Sequence, residues 1–205
     1  MKIIDVEQRS PEWFEARRGV ITGSEVAKVV GGKVGAESYF YEKLAERLTI
    51  GVHEDENAMD RGTRLEDEAR AKYTEISSNK TKNIGLTISD ESKYIGSSPD
   101  AYVDKKVLDH ALEIKCLSSG KHIRAYIEKE IPKDYRPQTI QYFIANEKLK
   151  KLDVFFYDPR LYKKVSAFII TINRKDIEDE IVVQRDAQIN FLKKLEEMLD
   201  TIADF

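Results

Sequence analysis

Three side chains that could hydrolyse a phosphodiester lie between residues 97 and 116, in the segment SSPDAYVDKKVLDHALEIKC. Asp100 follows a proline, and Glu113 and Lys115 form a later Glu-x-Lys triplet that would point to one face of a strand, with Ile114 on the other. A hairpin between the two strands could bring Asp100 beside Glu113. Two neighbouring carboxylates repel each other unless they share a hard cation, and a lysine beside that cation could hold a water. The segment therefore predicts a magnesium-dependent phosphodiesterase site.

These motifs also have a structural interpretation. An aspartate after a proline is common in turns, and Glu-x-Lys is common on the solvated face of an edge strand. Short motifs have a high false-positive risk, so the triplet alone is weak support for catalysis. The catalytic interpretation depends on its combination with features elsewhere in the chain.

The composition is that of an ordinary globular protein, with 205 residues, 41% of them hydrophobic and 35% charged. This length predicts a single domain over residues 1–205 that ends in an amphipathic helix. The one cysteine excludes an intrachain disulfide framework and fits a reducing cytoplasm. No apolar run approaches the roughly 20 residues that a membrane helix needs, and the N-terminus lacks a signal-peptide core, so we expect no membrane association.

The net charge of −3 argues against a protein that coats nucleic acid with its whole surface. If nucleic acid is the substrate, positive charge must be concentrated in a groove or channel. Basic residues do gather over 9–28 and 121–133. The commoner outcome for scattered charge is two solvated faces.

Apolar periodicity and turn residues predict a mixed sheet flanked by helices, an α/β or α+β domain. The first four strands should form an antiparallel meander. The predicted helices cover 11–18, 24–30, 37–49, a segment ending near 76, 119–130, 133–147 and 173 to beyond 199; the predicted strands cover 84–89, 94–96, 101–104, 107–116, 153–157 and 165–172.

The segment Thr22-Gly-Ser-Glu25 matches a capping box for the second helix. If Thr22 is the cap, Ser24 lies in a first helical turn, where backbone N–H groups favour an anion. Arg17 could then complete a phosphate pocket. The alternative is a surface arginine beside an ordinary cap.

The start of the helix that ends near residue 76 is ambiguous. Asn57 could cap it with Gly62 inside, or Thr63 could cap it with Glu66 at the third position. Glu66 is therefore either a structural capping carboxylate or a third acidic group of the site, and we favour the second because a third acid suits a metal site.

Four blocks of the sequence, in order, resemble the phage lambda exonuclease family, the viral recombinase type of nuclease within the PD-(D/E)xK superfamily. They are PEWFEARRGVITGSEV (11–26), RGTRLEDEARAKY (61–73), IGSSPDAYVD (95–104) with LEIKC (112–116), and YRPQTIQYF (135–143) followed by FFYDPR (155–160). The resemblance implies a restriction-endonuclease-like core, Mg²⁺ with Mn²⁺ as a substitute, and 5′→3′ digestion of one strand of linear duplex DNA. Digestion from 5′-phosphorylated ends would leave 3′ single-stranded tails for recombination.

The resemblance also implies roles for the residues of the central segment. Asp100 and Glu113 match the metal-binding carboxylates, with the backbone carbonyl of Ile114 as another ligand. Lys115 matches the lysine that positions the attacking water. Glu66 matches the helix-borne acid of the site, which can reach the metal through a water.

Further residues match the family outside the central segment. The pocket for the terminal 5′-phosphate matches Arg17, Ser24 and Ser98, and Lys121 falls where the family often has a basic DNA contact. The family carries a glutamine near the metal, usually followed two residues later by a second. Here Gln138 and Gln141 are three residues apart, so either could be the counterpart. Gln138 gives a Gln-x-x-x-Tyr spacing with Tyr142, and we prefer it.

Family members of this type form closed rings around DNA, commonly trimers, and work with a single-strand annealing protein. A ring would reconcile a net acidic chain with a DNA substrate, because only its bore must be basic. The location implied is the cytoplasm of a bacterial host. Two other functions stay open: a restriction-like or repair endonuclease with the same fold, and a non-catalytic module that binds DNA ends.

Overall fold

The structure, a computed structural model, describes residues 1–31, 36, 39–40, 43, 60–117, 119–159, 161 and 164–203. The helix predicted over 37–49 lies largely outside the described residues. None of the helices in the described part of the chain combines the length and the apolar character needed to span a lipid bilayer.

Short strands in the middle of the chain separate the helices. The helices are α1 (Pro11–Arg17), α2 (Val26–Val30), α3 (Asp60–Ser77), α4 (Ser119–Glu128), α5 (Arg136–Ala145) and α6 (Glu178–Ala203), with 3₁₀ turns at Lys133–Tyr135 and Arg174–Asp176. The strands are β1 (Lys2–Ile4), β2 (Thr81–Lys82), β3 (Leu86–Ile88), β4 (Gly96–Ser97), β5 (Ala101–Val103), β6 (His110–Lys115), β7 (Lys151–Tyr157) and β8 (Ala167–Asn173).

A mixed five-stranded sheet in the order β2-β5-β6-β7-β8 carries the centre of the fold. The β6–β7 pair is parallel and the other pairs are antiparallel. A parallel pair requires a crossover connection, which α4 and α5 supply. The predicted fold class, a mixed sheet flanked by helices, is confirmed.

The predicted four-strand meander is wrong. Strands β3 and β4 pair with each other in a smaller sheet of order β1-β3-β4, whereas β5 pairs with β6. Pro99 separates the two sheets, because proline has no N–H with which to continue a ladder. The strand predicted over 107–116 begins only at His110, and the side chain of Val107 is 52% exposed in the turn before it.

Strands β6 and β7 form the core and present different surfaces to the two helical layers. Alternation along β6 points Leu112 and Ile114 toward Tyr73 of α3, within one apolar cluster. Ala111 lies in the other cluster, with residues of α5 and α6. Glu113 shares the face of Ala111, and β6 therefore directs its carboxylate toward α5.

Candidate active site

The hairpin of β5 and β6 brings two carboxylates together. Ala101 pairs with Leu112, so one more step of the register sets Asp100 opposite Glu113, and opposed residues of an antiparallel pair share a face. Oδ2 of Asp100 accepts a hydrogen bond from the backbone N–H of Ile114 at 2.6 Å. The expected return of Asp100 to Glu113 is what the structure shows.

The two carboxylates are electrostatically coupled. Burial raises the pKa of Asp100 well above its usual value, and the charges of Glu113 and Glu66 raise it further. The Ile114 N–H and the Lys115 ammonium oppose this rise without cancelling it. Bringing both acids into their ionised form therefore requires additional positive charge.

Lys115 lies on the same face of β6 as Glu113. Its Nζ donates to Oε1 of Glu113 at 2.7 Å and to Oε1 of Gln138 at 2.8 Å, and it sits 4.4 Å from the centroid of the Tyr135 ring. Burial acts to lower the pKa of Lys115, but the interaction with Glu113 outweighs it and the pKa is raised. The Lys115 ammonium is thus placed to orient a water beside the carboxylates.

Helix α5 closes the site from above Glu113. The amide of Gln138 donates to Oε1 of Glu113 at 2.8 Å and to the Tyr142 hydroxyl at 2.7 Å. That hydroxyl donates to Oε2 of Glu113 at 2.5 Å. Burial, followed by the charge of Glu113, raises the pKa of Tyr142 well above its usual value, so the phenol remains a donor.

The structure places Gln138 at the carboxylates and turns Gln141 away from them. Gln141 donates instead to the backbone carbonyls of Ile21 and Gly96. Two site residues were not assigned from the sequence. Tyr142 had a signal in its spacing to Gln138, but Tyr135 had none that would distinguish it from other tyrosines.

A cleft of about 160 Å³ lies beside the carboxylates. Its walls come from the N-terminal segment, the strand before Asp100, and α5. The lining residues are Gln8, Arg9, Trp13, Arg17, Gly23, Ser24, Ser98, Asp100, Glu113, Gln138 and Tyr142. The three residues predicted to bind a 5′-phosphate thus share one cleft with both acids.

Arg17 is held in the cleft by α1 and by the turn that follows it. The guanidinium carbon lies 4.1 Å from the centroid of the Trp13 ring, and Nη2 donates to Oγ1 of Thr22 at 2.9 Å and to Oγ of Ser24 at 3.3 Å. Burial lowers the pKa of Arg17. Arginine still stays protonated in proteins, so the cleft contains a fixed cation.

The predicted capping box is wrong. Oγ1 of Thr22 donates to the Glu25 carboxylate at 3.0 Å rather than accepting from a backbone N–H. Helix α2 begins only at Val26 and has no side-chain cap. A turn, and not the first turn of a helix, therefore brings Ser24 to Arg17.

The hydroxyl of Ser98 is buried in the wall of the cleft. Among the described residues it has no hydrogen-bond partner. A buried polar group without a partner costs about 1–3 kcal/mol. A ligand oxygen in the cleft would remove that cost.

Glu66 lies at the edge of the site and is paired with two arginines. Oε2 accepts from Arg9 at 2.5 Å and Oε1 accepts from Arg70 at 3.0 Å. Helix α3 begins at Asp60, which rules out Thr63 as its cap and Glu66 as a capping residue. Both carboxylate oxygens accept from guanidinium groups, so Glu66 stays a prediction as the third acid of the metal site, which it would reach through a water.

Lys121 does not join the cleft. It lies on α4, its side chain is 56% exposed, and it pairs with Asp134 at 3.0 Å. If Lys121 contacts DNA as expected, it does so outside this cleft.

Oxygen donors for a divalent cation are nonetheless present. The N–H and C=O of a strand residue point to the same neighbour, so the Ile114 carbonyl is directed to the Asp100 side of β6. Within the described ranges, no group of three or more His, Cys, Asp or Glu side chains could hold an ion. Mg²⁺ usually keeps several waters and needs only one or two carboxylates. Asp100, Glu113 and the Ile114 carbonyl fit this requirement.

Comparisons with known proteins identify a matching family and several similar solved structures. The sequence profile of the YqaJ-like viral recombinase domain matches residues 12–147. No curated protein sequence matches the chain. Among solved structures, the chain is similar to LHK-Exo, an alkaline exonuclease from Laribacter hongkongensis, with 30% identity and a TM-score of 0.82 over 95% of this chain and 97% of that one.

Two further structures are similar. A crystal structure of LHK-Exo in complex with dAMP gives 27% identity and a TM-score of 0.80 over 95% of this chain and 99% of that one. A phage-related exonuclease from Haemophilus somnus 129PT gives 14% identity and a TM-score of 0.61 over 90% of this chain and 96% of that one, which shows the shared fold alone.

Proposed function

The chain belongs to the family of the YqaJ-like viral recombinase domain, and from this membership we propose that it is a magnesium-dependent 5′→3′ exonuclease acting on linear duplex DNA. Family and fold together make it a nuclease of the alkaline exonuclease type, as the resemblance to the lambda exonuclease family implied. The observation that supports the finer proposal is the cleft in which Arg17, Ser24 and Ser98 lie beside Asp100 and Glu113.

The cleft suits a terminal phosphate better than an internal one. A phosphate monoester carries close to two negative charges and three strong acceptor oxygens at neutral pH. Arg17 supplies a fixed cation, Ser24 a hydroxyl 3.3 Å from it, and Ser98 a hydroxyl that has no partner among the described residues. LHK-Exo, which is similar in structure to this chain, has a crystal structure in complex with the nucleoside monophosphate dAMP. We infer that 5′-phosphorylated ends are the preferred substrate.

The proposed reaction follows from where the terminal phosphate is held. With the first phosphate in the pocket, the next phosphodiester along the strand lies toward the carboxylates. A water oxygen bonds to that phosphorus and the P–O3′ bond breaks; water loses a proton and O3′ gains one. The products are a 5′-mononucleotide and a strand with a new 5′-phosphate, so each turnover regenerates the group that the pocket binds.

Each side chain near the acids then has a defined task. Asp100, Glu113 and the Ile114 carbonyl would hold Mg²⁺, which when bound stabilises charge on phosphoryl oxygens and activates water. Lys115 orients the attacking water with its ammonium, since its raised pKa keeps it charged. Gln138 and Tyr142 fix the Glu113 carboxylate in one orientation.

Partners and location belong to the same proposal. We infer a homotrimeric ring around duplex DNA, a single-strand annealing protein as the partner that receives the 3′ tail, and the cytoplasm of a bacterial host as the place of action. The net charge of −3 supports a ring, because a chain of this charge attracts DNA only where its basic residues are concentrated.

End-labelled duplex DNA tests the proposal. We expect digestion with Mg²⁺ and none with EDTA, release of label first from a 5′-labelled terminus, and faster digestion of 5′-phosphate than of 5′-hydroxyl ends. A covalently closed circle should stay intact; its degradation would identify an endonuclease instead. DNA binding without any cleavage would identify an end-binding module.

Variants connect the activity to the site. Asp100→Asn and Lys115→Ala should each lower the cleavage rate by about 10²–10⁴-fold while DNA binding is largely kept, because both groups act on the reacting phosphate and its water. Lys72→Ala is the control, since this lysine pairs with Glu75 on the same helix and does not line the cleft. Cleavage at the wild-type rate in Lys115→Ala would remove Lys115 from the mechanism.

A further inference from the structure

A fully buried glutamine on α5 connects the two halves of the proposed site. Gln141 is 0% exposed and follows Gln138 by one helical turn. Its Nε2 donates to the carbonyl of Ile21 at 3.2 Å and to the carbonyl of Gly96 at 3.3 Å. Burying an amide in this way requires that its donors and acceptor be paired, which makes its position specific.

The two carbonyls belong to the segments that carry the phosphate pocket. Ile21 directly precedes the turn with Thr22 and Ser24, and Gly96 precedes Ser98. These segments are already joined to each other, because the N–H of Gly96 donates to the carbonyl of Ile21 at 3.1 Å. Gln141 is therefore the side chain that fastens this joined pair to α5.

Helix α5 in turn carries the groups that hold the catalytic acid. Gln138 and Tyr142, on either side of Gln141 in sequence, both hydrogen bond to Glu113. The Gln141 amide thus links the phosphate pocket to Glu113 through one helix.

Helix α6 sets the orientation of the Gln141 amide. Its Oε1 accepts from Nε2 of Gln188 at 2.8 Å and from Gln184 at 3.3 Å, and its Nε2 donates to Oε1 of Gln188 at 3.0 Å. The amide has two N–H groups, so the one that does not point to Gln188 is shared between the carbonyls of Ile21 and Gly96. Gln184 also donates to the carbonyl of Pro137, at the start of α5. These contacts hold the Gln141 amide between α6 and the segments of Ile21 and Gly96.

Packing at the turn shows that the spacing between turn and helix is tight. A Cβ at Gly23 would lie 3.2 Å from Cγ of Gln138 and 3.5 Å from Cε1 of Tyr142. The turn that holds Ser24 therefore rests directly on the catalytic helix. Any change in the distance between them changes the distance from pocket to acids.

We propose that Gln141 is a positioning residue that sets the separation between the terminal-phosphate pocket and Glu113, and thereby limits the released product to one nucleotide. This inference rests on the proposed function. An enzyme that anchors the first phosphate and cuts the next must hold the two sites one nucleotide apart. A displacement of about 1 Å costs on the order of 10²-fold in rate, and a larger one brings the following phosphodiester to the acids.

The test compares Gln141→Met with Tyr73→Phe on 5′-phosphorylated duplex DNA. Methionine keeps the length of the side chain but removes the amide, whereas Tyr73→Phe removes a buried hydrogen bond to Asp153 on the other face of the sheet and leaves the Gln141 contacts to Ile21 and Gly96 in place. Both variants should lose stability. Only Gln141→Met should release dinucleotides and reduce the preference for 5′-phosphate over 5′-hydroxyl ends, by about tenfold.

The outcomes separate the two proposals. If the wild-type enzyme shows no 5′-phosphate preference and no mononucleotide product, the proposed function fails. If the wild type shows both, and Gln141→Met still releases only mononucleotides with an unchanged preference, the positioning role is overturned. If Gln141→Met does not fold, the same two measurements are made on Gln141→Asn, which keeps the amide on a shorter side chain.

Discussion

Glu113 is the side chain on which the hydrogen bonds of the site converge. Its carboxylate is 4% exposed, yet it accepts from an ammonium, an amide and a phenol. Charge-assisted hydrogen bonds of this kind are stronger than neutral ones and fix the acceptor in one orientation. The carboxylate is therefore positioned before any substrate arrives, and binding need not spend free energy to order it.

The Arg17 guanidinium supplies the phosphate specificity in our proposal. Arg17→Ala should slow digestion of 5′-phosphorylated ends by about 10–100-fold and leave 5′-hydroxyl ends almost unaffected, because a charge-assisted contact of about 1.5–3 kcal/mol is lost only where the phosphate is present. The measurement is the ratio of initial rates on the two duplexes.

Arg18 provides the matched control for this measurement. It follows Arg17 directly but pairs with Glu15 at 2.9 Å and does not line the cleft. Arg18→Ala should keep the wild-type ratio. Equal slowing of both substrates by Arg17→Ala would mean that Arg17 is a general backbone or structural contact.

At the scale of elements, a second polar cluster fastens α3 to the large sheet on the face opposite Glu113. Asp153 of β7 accepts from His110 of β6 at 2.8 Å, from Tyr73 of α3 at 2.8 Å and from Thr171 of β8 at 2.7 Å. One buried carboxylate thus connects three strands and a helix. Its role is structural, and it holds the strand that carries Glu113.

Stability should depend on pH through Asp153. Burial would raise its pKa, but the hydrogen bonds from His110 and Thr171 outweigh burial and lower the pKa to about 2. A depressed carboxylate pKa stabilises the fold above the unfolded-state pKa, and this stabilisation disappears as the pH falls through the folded-state value. We expect Asp153 to contribute about 2 kcal/mol at pH 7 and to lose it between about pH 4 and pH 2.

Urea unfolding at a series of pH values measures this contribution. Asp153→Asn should lower the free energy of unfolding at pH 7 and flatten its decline in acid. Asp104→Asn is the control. The Asp104 side chain is 56% exposed, and it forms an ion pair with Lys82 at the surface. An unchanged acid slope in Asp153→Asn would contradict the assignment.

The elements also show which features a sequence can and cannot predict. The alternation in β6 and the proline before Asp100 are local, and they were enough to predict that Asp100 and Glu113 meet. The pairing of Glu66 with Arg9 was not predictable, because Arg9 is 57 residues away and reaches it only through the tertiary fold. The preference for Gln138 over Gln141 rests on the spacing to Tyr142, which places both side chains on one face of α5. The contacts of Gln141 with Gln184 and Gln188 were not predictable, because they form only when α6 packs on α5.

At the scale of the molecule, the negative net charge of the chain must be reconciled with a DNA substrate that is itself negatively charged. The described cleft contains Arg9 and Arg17, whereas the chain as a whole carries a net charge of −3. Long-range attraction of DNA by a single copy is therefore weak. Several copies that turn their basic residues toward a common axis would concentrate positive potential where the duplex lies.

Sedimentation equilibrium tests the proposed ring. We expect a species of about three times the 23.6 kDa mass of one chain, and an enzyme that digests long linear duplexes without releasing them. Adding excess competitor DNA after the reaction starts should then leave digestion of the bound duplex unaffected. A chain that stays monomeric at all concentrations yet resists the competitor would contradict a ring as the cause of processivity.

The buried hydroxyl of Ser98, which has no partner among the described residues, has a consequence for protein engineering. A polar group of this kind lowers the stability of the free protein, and in our proposal the bound phosphate would restore it. Screens that select for thermal endurance should therefore enrich alanine at this position. The hardier variants they return would be the poorer enzymes.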